Sequence, residues 1–393
     1  MPARRSLAEE FASEAQEIAA WRRELHMNPE LGYDLPRTAA FVADKLRAFG
    51  CDEVVEGIGR SGVVGLIRGA APGPTMGLRA DMDALPILEA SGAPWASRAA
   101  GRMHACGHDG HTAMLLGAAR RLARERDFAG RVAVIFQPAE EGGAGALAMV
   151  RDGLMERFEI AQVFGMHNLP GAPEGAFLMR PGPIMAASDQ FDIAVEGRGG
   201  HAALPHACVD PVLTAAHVAV ALQGVVSRAV DPLEPAVVSV TGIAAEGEAY
   251  NVIPARARLR GTARSLSEPV RALLEARVHE VARNVAAAYG AEARVDWTRG
   301  YPVTVNAPAP LALAARAARD VAGAAMVDEA APPLMGAEDF AYMLEARPGA
   351  FIFIGAGDSA PLHNPAYDFN DRIIPAGCAY WLALTRRALP PHG

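Results

Sequence analysis

The sequence predicts an α/β protein with a mostly parallel main sheet, into which a smaller βαββαβ unit is inserted. Up to residue 185, short β-type segments alternate with helical segments, as in a parallel sheet covered by helices. Between residues 186 and 300 the order becomes strand, helix, strand, strand, helix, strand, which is the ferredoxin-like split unit. The α/β pattern then resumes, so the predicted domains are 1–185 plus 301–393, and the insert 186–300.

Helix start and stop signals place the first elements. Ser6 and Glu9 form a capping-box pattern, and apolar residues recur with helical spacing from there towards Pro29. Pro36 suits the first turn of a second helix, and Gly50 suits its end. Further strands of this domain are predicted at 62–67, 75–79, 131–136, 163–166 and 350–354, and further helices at 112–124, 309–322, 337–344 and 375–387. In the insert, strands are predicted at 190–195, 236–243, 255–262 and 293–297, and helices at 211–227 and 268–289.

Polar side chains stand directly after three strands of the predicted parallel sheet. They are Asp81 and Asp83, Glu140 and Glu141, and His167. In open parallel sheets, binding groups gather where the carboxyl ends of the strands meet. The sequence therefore predicts a functional site at this edge of the sheet.

Composition narrows the class of protein. A chain of 393 residues is long enough for two or three domains, and a net charge of −8 argues against a nucleic-acid binder. Four cysteines without a C-x-x-C pair favour a reducing compartment over a disulfide framework. No apolar segment of a signal peptide follows Arg4 and Arg5, and no bilayer span is predicted. We expect a cytoplasmic protein without a membrane partner.

Residues 103–112 are unusually rich in metal-binding side chains. They hold three histidines, one cysteine and one aspartate, and these donors bind Zn²⁺, Mn²⁺, Co²⁺ or Ni²⁺. Cys106 and His108 fall on one side of an extended segment, and Gly107 between them allows a tight turn. His104 is expected in the loop or beside a ligand, whereas Asp109 and His111 are expected to begin the next helix.

A metal site needs further ligands from elsewhere in the chain. His167 and His363, each at a predicted strand or loop end, join Cys106, His108 and Glu141 as five donors, enough for two metals with a shared bridge. Glu140 and Glu141 are adjacent and must diverge, so one can bind metal while the other takes a proton from water. Asp83 could orient His108 or a neighbouring ligand through a hydrogen bond.

Six motifs then occur in an order that resembles a known family. They are Arg-Ala-Asp-Met-Asp-Ala-Leu-Pro, Cys-Gly-His-Asp-Gly-His, Gln-Pro-Ala-Glu-Glu-Gly, Gly-Met-His-Asn, Gly-Arg-Gly-Gly-His-Ala-Ala-x-Pro and Asn-Val-Ile-Pro. Over nearly its whole length the chain resembles the hippurate hydrolase and auxin-conjugate hydrolase branch of the aminoacylase and carboxypeptidase G metallopeptidase family. The resemblance implies a catalytic di-metal domain (1–185 plus 301–393) and a lid that usually dimerises (186–300).

The resemblance also implies roles for individual residues. The metal ligands would be Cys106, His108, Glu141, His167 and His363, with Glu140 as general base. Asp83, which could orient a ligand, is predicted with Glu140 as a catalytic residue. On the insert, His201 would stabilise the oxyanion, often from the partner subunit. Asn251 would lie near the substrate, and Arg264 is a weaker candidate for clamping a substrate carboxylate.

One departure concerns the wider family. That family has a metal-binding histidine where Asp81 stands, and a bridging aspartate where Cys106 stands. The hippurate hydrolase branch shares both changes, so the resemblance is to that branch. Whether Asp81 touches metal stays open at this point.

The implied activity is metal-dependent hydrolysis of the amide bond of N-acyl amino acids by a homodimer or homotetramer with two divalent ions, Mn, Zn, Co or Ni, per subunit. Three other functions stay open. One is a dipeptidase or carboxypeptidase of the same family, another a hydrolase with Cys106 as nucleophile, and a third a non-catalytic binder of metal or small molecules. A zinc deaminase is disfavoured because its H-x-E and P-C-x-x-C pair is absent.

Overall fold

The computed structural model describes residues 7–391, so Ser6 of the predicted capping box lies outside the described residues. The chain divides into two compact units. The first comprises Met1–Ile184, Val305–Pro332 and Asp339–Gly393, and the second comprises Met185–Thr304 and Pro333–Glu338.

An eight-stranded sheet forms the centre of the first unit. Its four central strands, which are mutually parallel, are in spatial order Ala129–Gln137, Ala71–Asp81, Ile160–Leu169 and Gly349–Gly355. Outside them lie Gly62–Arg68 and Glu53–Ile58 on one side, and Phe177–Leu178 and Val327–Asp328 on the other. Gly62–Arg68 and Phe177–Leu178, which flank the four central strands, each pair with them in antiparallel orientation. The predicted α/β fold with a mostly parallel central sheet is confirmed.

Burial explains why these segments form central strands. Every residue of Gly349–Gly355 is buried, and so are all but one of Ala129–Gln137. Continuous apolar runs of this kind are typical of parallel strands covered on both faces. The helices of this unit are Leu7–Ala12, Ala15–Met27, Pro36–Phe49, His108–Glu125, Glu140–Gly143, Gly145–Arg151, Leu154–Arg157, Pro308–Ala322, Ala341–Ala346 and Ile374–Ala388, with 3-10 turns at Ala324–Met326 and Asp371–Ile373.

Three helix predictions differ from the structure, and in one of them the helix expected at 337–344 is Ala341–Ala346. The helix expected to run to Pro29 is divided into Leu7–Ala12 and Ala15–Met27. At the break the Ser13 hydroxyl donates to the Glu10 carbonyl, a local bond that competes with helical pairing. The helix expected from residue 112 begins at His108, because Gly107 takes a left-handed conformation (φ 94°) that starts the helix earlier.

The second unit contains a four-stranded antiparallel sheet. Its strands are, in spatial order, Ala236–Ala245, Arg256–Ser265, Ala187–Glu196 and Glu292–Arg299, and its helices are Pro211–Ala229 and Glu268–Ala288. In chain order these elements are strand, helix, strand, strand, helix, strand. Shorter elements are Gly200–His201, Pro205–Ala207 and Val252–Ile253, and the strands Gly182–Met185 and Thr304–Asn306 occur where the chain passes between the units.

The helix Pro211–Ala229 is the one helix within residues 7–391 whose length and apolar composition would suffice to cross a membrane, with mean hydropathy 1.4. Its buried residues Thr214, Ala215, Val218, Leu222 and Val225 recur at helical spacing. That spacing is typical of a helix that packs one face on a sheet, and the four apolar residues belong to the core of the second unit together with its strands. The expected absence of a bilayer span stays a prediction.

Candidate metal centre

The predicted site residues of the first unit come from adjacent strand ends. Asp81 ends one central strand, His167 lies near the end of the next, and Glu140 follows the strand Ala129–Gln137 after two intervening residues. His108 is the first residue of the His108–Glu125 helix. His363 lies in the loop after the fourth central strand. The carboxyl edge of the parallel sheet therefore collects these side chains, as the sequence predicts.

All five predicted ligands are brought together. The Cys106 sulfur lies 3.3 Å from Nε2 of His167, and Nε2 of His363 lies 3.2 Å from a carboxylate oxygen of Glu141. Donor atoms of Cys106, His108 and His167 all lie within 4.8 Å of one another, and so do those of Cys106, Glu141 and His363. Cys106 belongs to both groups, so the arrangement offers two neighbouring metal positions with a shared thiolate.

The hydrogen bonds of the histidines fit a metal ion. Nδ1 of His108 donates to the Asp83 carbonyl at 2.8 Å, and Nδ1 of His167 donates to the Asn168 carbonyl at 2.7 Å. These bonds leave the lone pair of each Nε2 for a ligand. Nε2 of His108 is buried and has no hydrogen-bond partner among the described residues, which costs about 1–3 kcal/mol unless something binds it. A divalent ion would satisfy this atom.

The electrostatic field at the site favours a cation. Burial alone would lower the pKa of His108, but Asp81, Asp83 and Glu141 outweigh it and raise this pKa to about 10. Burial and the carboxylates of Glu141 and Glu140 raise the pKa of the Cys106 thiol well above its usual range. Because the thiolate is the reactive form, this environment disfavours Cys106 as a nucleophile in the absence of a cation. A bound divalent cation reverses that balance.

Asp83 holds the loop that carries the two glutamates. Its carboxylate accepts the backbone N–H of Glu140 at 3.0 Å and that of Glu141 at 3.1 Å. Its backbone carbonyl, and not its side chain, makes the short hydrogen bond to His108. Ala139 before the glutamates and Ala144 after them both have positive φ (52° and 55°), so this loop is held in a conformation that non-glycine residues rarely adopt. Glu140 is buried with 7% of its surface exposed.

Both carboxylate oxygens of Asp81 contact side chains that are not among the five predicted metal ligands. One of its carboxylate oxygens lies 2.7 Å from Nδ1 of His111, and the other accepts from Arg79 at 2.8 Å. Nε2 of His108 is 3.7 Å away. Both oxygens thus have hydrogen-bond partners.

Sequence reasoning assigned no site role to Arg79 and His111. His111 lies in the first turn of the His108–Glu125 helix. Its Nε2 lies 2.7 Å from the Asn168 amide oxygen, so His111 joins Asp81 to the strand of His167. For Arg79 a signal was present. A charged residue that ends a run of apolar strand residues must have a buried partner.

The predicted site residues of the insert all lie in the second unit. The strand Gly200–His201 pairs with Val252–Ile253, with His201 opposite Val252. The Asn251 carbonyl accepts the N–H of Ala202 at 2.9 Å, so the backbones of His201 and Asn251 lie close together at this small two-stranded sheet. Arg264 lies apart from it on Arg256–Ser265, where it donates to Thr262 and to the Ala263 carbonyl. Burial lowers the pKa of Arg264.

Comparison with known proteins gives consistent matches. A family model described as peptidase family M20/M25/M40 matches residues 77–387. The chain is 41% identical to a hippurate hydrolase of Campylobacter jejuni over 94% of this chain and 95% of that protein. It is 40% identical to thermostable carboxypeptidase 2 of Saccharolobus solfataricus over 94% and 96% of the two chains. Among solved structures, the Bacillus subtilis YXEP protein, described as a dinuclear metal-binding peptidase, superposes with a TM-score of 0.84 at 33% identity and covers 97% of this chain and 100% of its own.

Proposed function

The chain belongs to peptidase family M20/M25/M40, and from this premise we propose that it is a metal-dependent amidohydrolase that cleaves N-acyl amino acids into a carboxylate and a free amino acid. The observation that carries the proposal is the convergence of five ligand-type side chains in two groups that share Cys106, with Glu140 beside them and Nε2 of His108 without a hydrogen-bond partner among the described residues. The similarity to a hippurate hydrolase supports the substrate class.

Two divalent ions per subunit are proposed as cofactors. Cys106, His108 and His167 would hold one ion, and Cys106, Glu141 and His363 would hold the other. When bound, such ions acidify a water molecule and polarise an acyl carbonyl. The mixed N, O and S donor set suits Mn, Zn, Co or Ni.

Glu140 is proposed to move the proton. Its backbone is fixed by Asp83, and its carboxyl group lies with His108 and Glu141 within 4.8 Å. In the reaction, the carboxylate takes a proton from water while the water oxygen bonds to the acyl carbon. It then delivers that proton to the nitrogen as the carbon–nitrogen bond breaks.

The second unit is proposed to act as the lid. His201 would stabilise the oxyanion that develops on the acyl carbonyl, with Asn251 close to the substrate. Arg264 would bind the substrate carboxylate through guanidinium nitrogens that its own strand does not use. The roles of His201 and Asn251 rest on the motifs that carry them, and Arg264, which lies in none of these motifs, is the weaker candidate.

A substrate panel tests the proposal. Metal-free protein is refilled with Mn²⁺, Zn²⁺, Co²⁺ or Ni²⁺, and kcat/KM is measured for benzoyl- and acetyl-amino acids beside dipeptides with a free amino group. We expect the N-acyl amino acids to have the higher kcat/KM, because their acyl side carries no α-ammonium group that the divalent ions at the site would repel. Hydrolysis of the dipeptides alone would favour the dipeptidase or carboxypeptidase reading, and binding of metal without any hydrolysis would favour a binding protein.

Homodimerisation through the second unit is also proposed. Ala236–Ala245 is an edge strand of its sheet, with ten residues of which none is charged. An uncharged edge of this length is a template for pairing with another strand. Exposed apolar side chains lie on this strand and on the Pro211–Ala229 helix, for example Ile243 at 52% and Val220 at 71% exposure.

Light scattering tests the assembly. We expect a mass of about twice 41.2 kDa for the protein, or a further doubling if two dimers associate. A lysine on an edge strand opposes pairing, so Ile243→Lys should shift the mass to that of a monomer. The control is Val305→Lys in the first unit, since Val305 is 45% exposed. A monomeric wild-type protein, or equal masses for both variants, would contradict this interface.

A further inference from the structure

Arg22 is a fully buried arginine that the proposed reaction does not use. It lies on the Ala15–Met27 helix and is 0% exposed. Its Nε donates to Asp371 at 2.8 Å, and one terminal nitrogen donates to Asp368 at 3.0 Å. The other terminal nitrogen donates to the Phe369 carbonyl at 3.2 Å. The first of these terminal nitrogens also lies 3.6 Å from the carboxylate of Asp109.

These partners belong to two ligand-bearing segments. Asp109 directly follows His108 at the start of its helix, and Asp368, Phe369 and Asp371 follow His363 within eight residues. The guanidinium of Arg22 thus joins the start of the His108–Glu125 helix to the segment that follows His363, the proposed ligand farthest along the chain. Helix and segment also pack closely, because a Cβ at Gly110 would meet the Phe369 ring at 2.2 Å.

Of the five proposed ligands, His363 has the side chain that is least held by surrounding residues. Its side chain is 53% exposed, whereas the other four ligands are buried or nearly so. Its backbone has φ 64°, in the left-handed region that disfavours a histidine. Its N–H donates to the Ala105 carbonyl at 2.7 Å. The position of this imidazole therefore depends on how firmly the surrounding segment is held.

The geometry of Arg22 suits this task better than a lysine would. The planar guanidinium binds two carboxylates and a carbonyl at fixed angles, which a single ammonium group does not reproduce. Trp95 reinforces the arrangement, because its indole N–H donates to Asp368 at 3.1 Å and its ring faces Arg22. His26, one helical turn from Arg22, lies 2.8 Å from Asp109 through Nδ1 and holds the same carboxylate.

We propose that Arg22 is a positioning residue that fixes the His363 segment against the start of the His108 helix and so completes the second metal position. The inference rests on the proposed dinuclear function. The proposal predicts different effects at the two metal positions. The group of Cys106, Glu141 and His363 takes a ligand from this segment, and the group of Cys106, His108 and His167 does not.

The alternative is that Arg22 only stabilises the fold, and the chain offers a matched control. Arg121 also joins the N-terminal helices to the His108 helix, through Glu10 and Glu14, and its side chain is 13% exposed. It lies thirteen residues beyond His108, about 20 Å along a helix that rises 1.5 Å per residue. Arg121→Lys should therefore reduce stability without reaching the metal site.

The experiment compares wild type, Arg22→Lys and Arg121→Lys in the full chain. Co²⁺ titration of metal-free protein, followed by the thiolate-to-cobalt absorption of Cys106, should show two ions per wild-type chain. In Arg22→Lys the weaker ion should lose about tenfold or more in affinity, in the range found when a residue that orients a ligand is changed. Arg121→Lys should bind both ions as wild type does. Hydrogen exchange of metal-free protein should be faster in peptides containing 361–368 for Arg22→Lys alone.

Each outcome decides the matter. Unchanged cobalt affinities and unchanged exchange in Arg22→Lys would overturn the positioning role while the proposed function stood. Cobalt binding absent from the wild type would overturn the proposed function, and with it the role of Arg22 in metal binding. If Arg22→Lys does not fold, Asp368→Asn carries the same test, since the Asp368 side chain is 32% exposed. It should weaken the second ion in the same direction.

Discussion

Replacement of Glu140 by glutamine is expected to lower kcat for N-acyl amino acid hydrolysis about a thousandfold, in the range that a general base contributes. Glutamine keeps the size of the side chain and cannot accept the proton of water. The backbone N–H of residue 140 still donates to Asp83, so the loop and the neighbouring Glu141 should stay in place. Metal content, measured by atomic emission, should therefore equal that of the wild type.

The adjacent glutamate supplies the control. Glu141→Gln removes a charged oxygen that lies 3.2 Å from His363, and it should reduce metal content as well as activity. The two substitutions are thus expected to have different effects. Glu140→Gln should keep its metal ions and lose turnover, whereas Glu141→Gln should lose metal as well. A Glu140→Gln variant with near-normal kcat would remove Glu140 from the role of base.

The position of the site could be predicted from sequence because it depends on local rules. Strand ends are recognisable from apolar runs, and a parallel sheet brings its carboxyl ends to one edge. Glu140 and His167 are predictable in this way, and the Cys106–His108 pair is predictable from the density of metal-binding side chains in residues 103–112. His363 is predictable only in combination with the other four donors and through the resemblance to a family, since a single histidine in a loop has no local pattern of its own.

The supporting network could not be predicted, because its partners are far apart in the chain. Arg22 bonds to Asp371 across 349 positions, and Gln137 bonds to Asp339 across 202. A buried arginine must have anionic partners, but only the fold determines which ones. The sequence does not show that Arg22 is buried, and it does not show that its partners lie on the segments of His108 and His363.

The contacts of Asp81 bear on whether its carboxylate touches a metal ion. In the wider family this position supplies an imidazole to the metal, whereas here its carboxylate is taken up by Arg79 and His111. The nearest imidazole of the proposed ligand set is that of His108, whose Nε2 lies 3.7 Å from Asp81. Both carboxylate oxygens of Asp81 thus already have hydrogen-bond partners within the protein.

Complete removal of the divalent ions is expected to abolish hydrolysis. Dialysis against a strong chelator followed by a rate assay with hippurate measures this, and addition of Mn²⁺, Zn²⁺, Co²⁺ or Ni²⁺ should restore turnover to different extents. The physical reason is that water at neutral pH is a poor nucleophile until a divalent cation lowers its pKa. Glu140 alone does not supply that effect, because it can only accept the proton.

The same treatment separates this mechanism from a thiol hydrolase. A cysteine nucleophile would survive chelation and would be destroyed by a thiol-alkylating reagent. Burial and the carboxylates of Glu141 and Glu140 raise the pKa of Cys106, so the metal-free protein should carry a protonated thiol that alkylates slowly at neutral pH. Slow alkylation together with lost activity is the result expected of a bridging ligand, whereas full activity in the metal-free protein would assign the chemistry to Cys106.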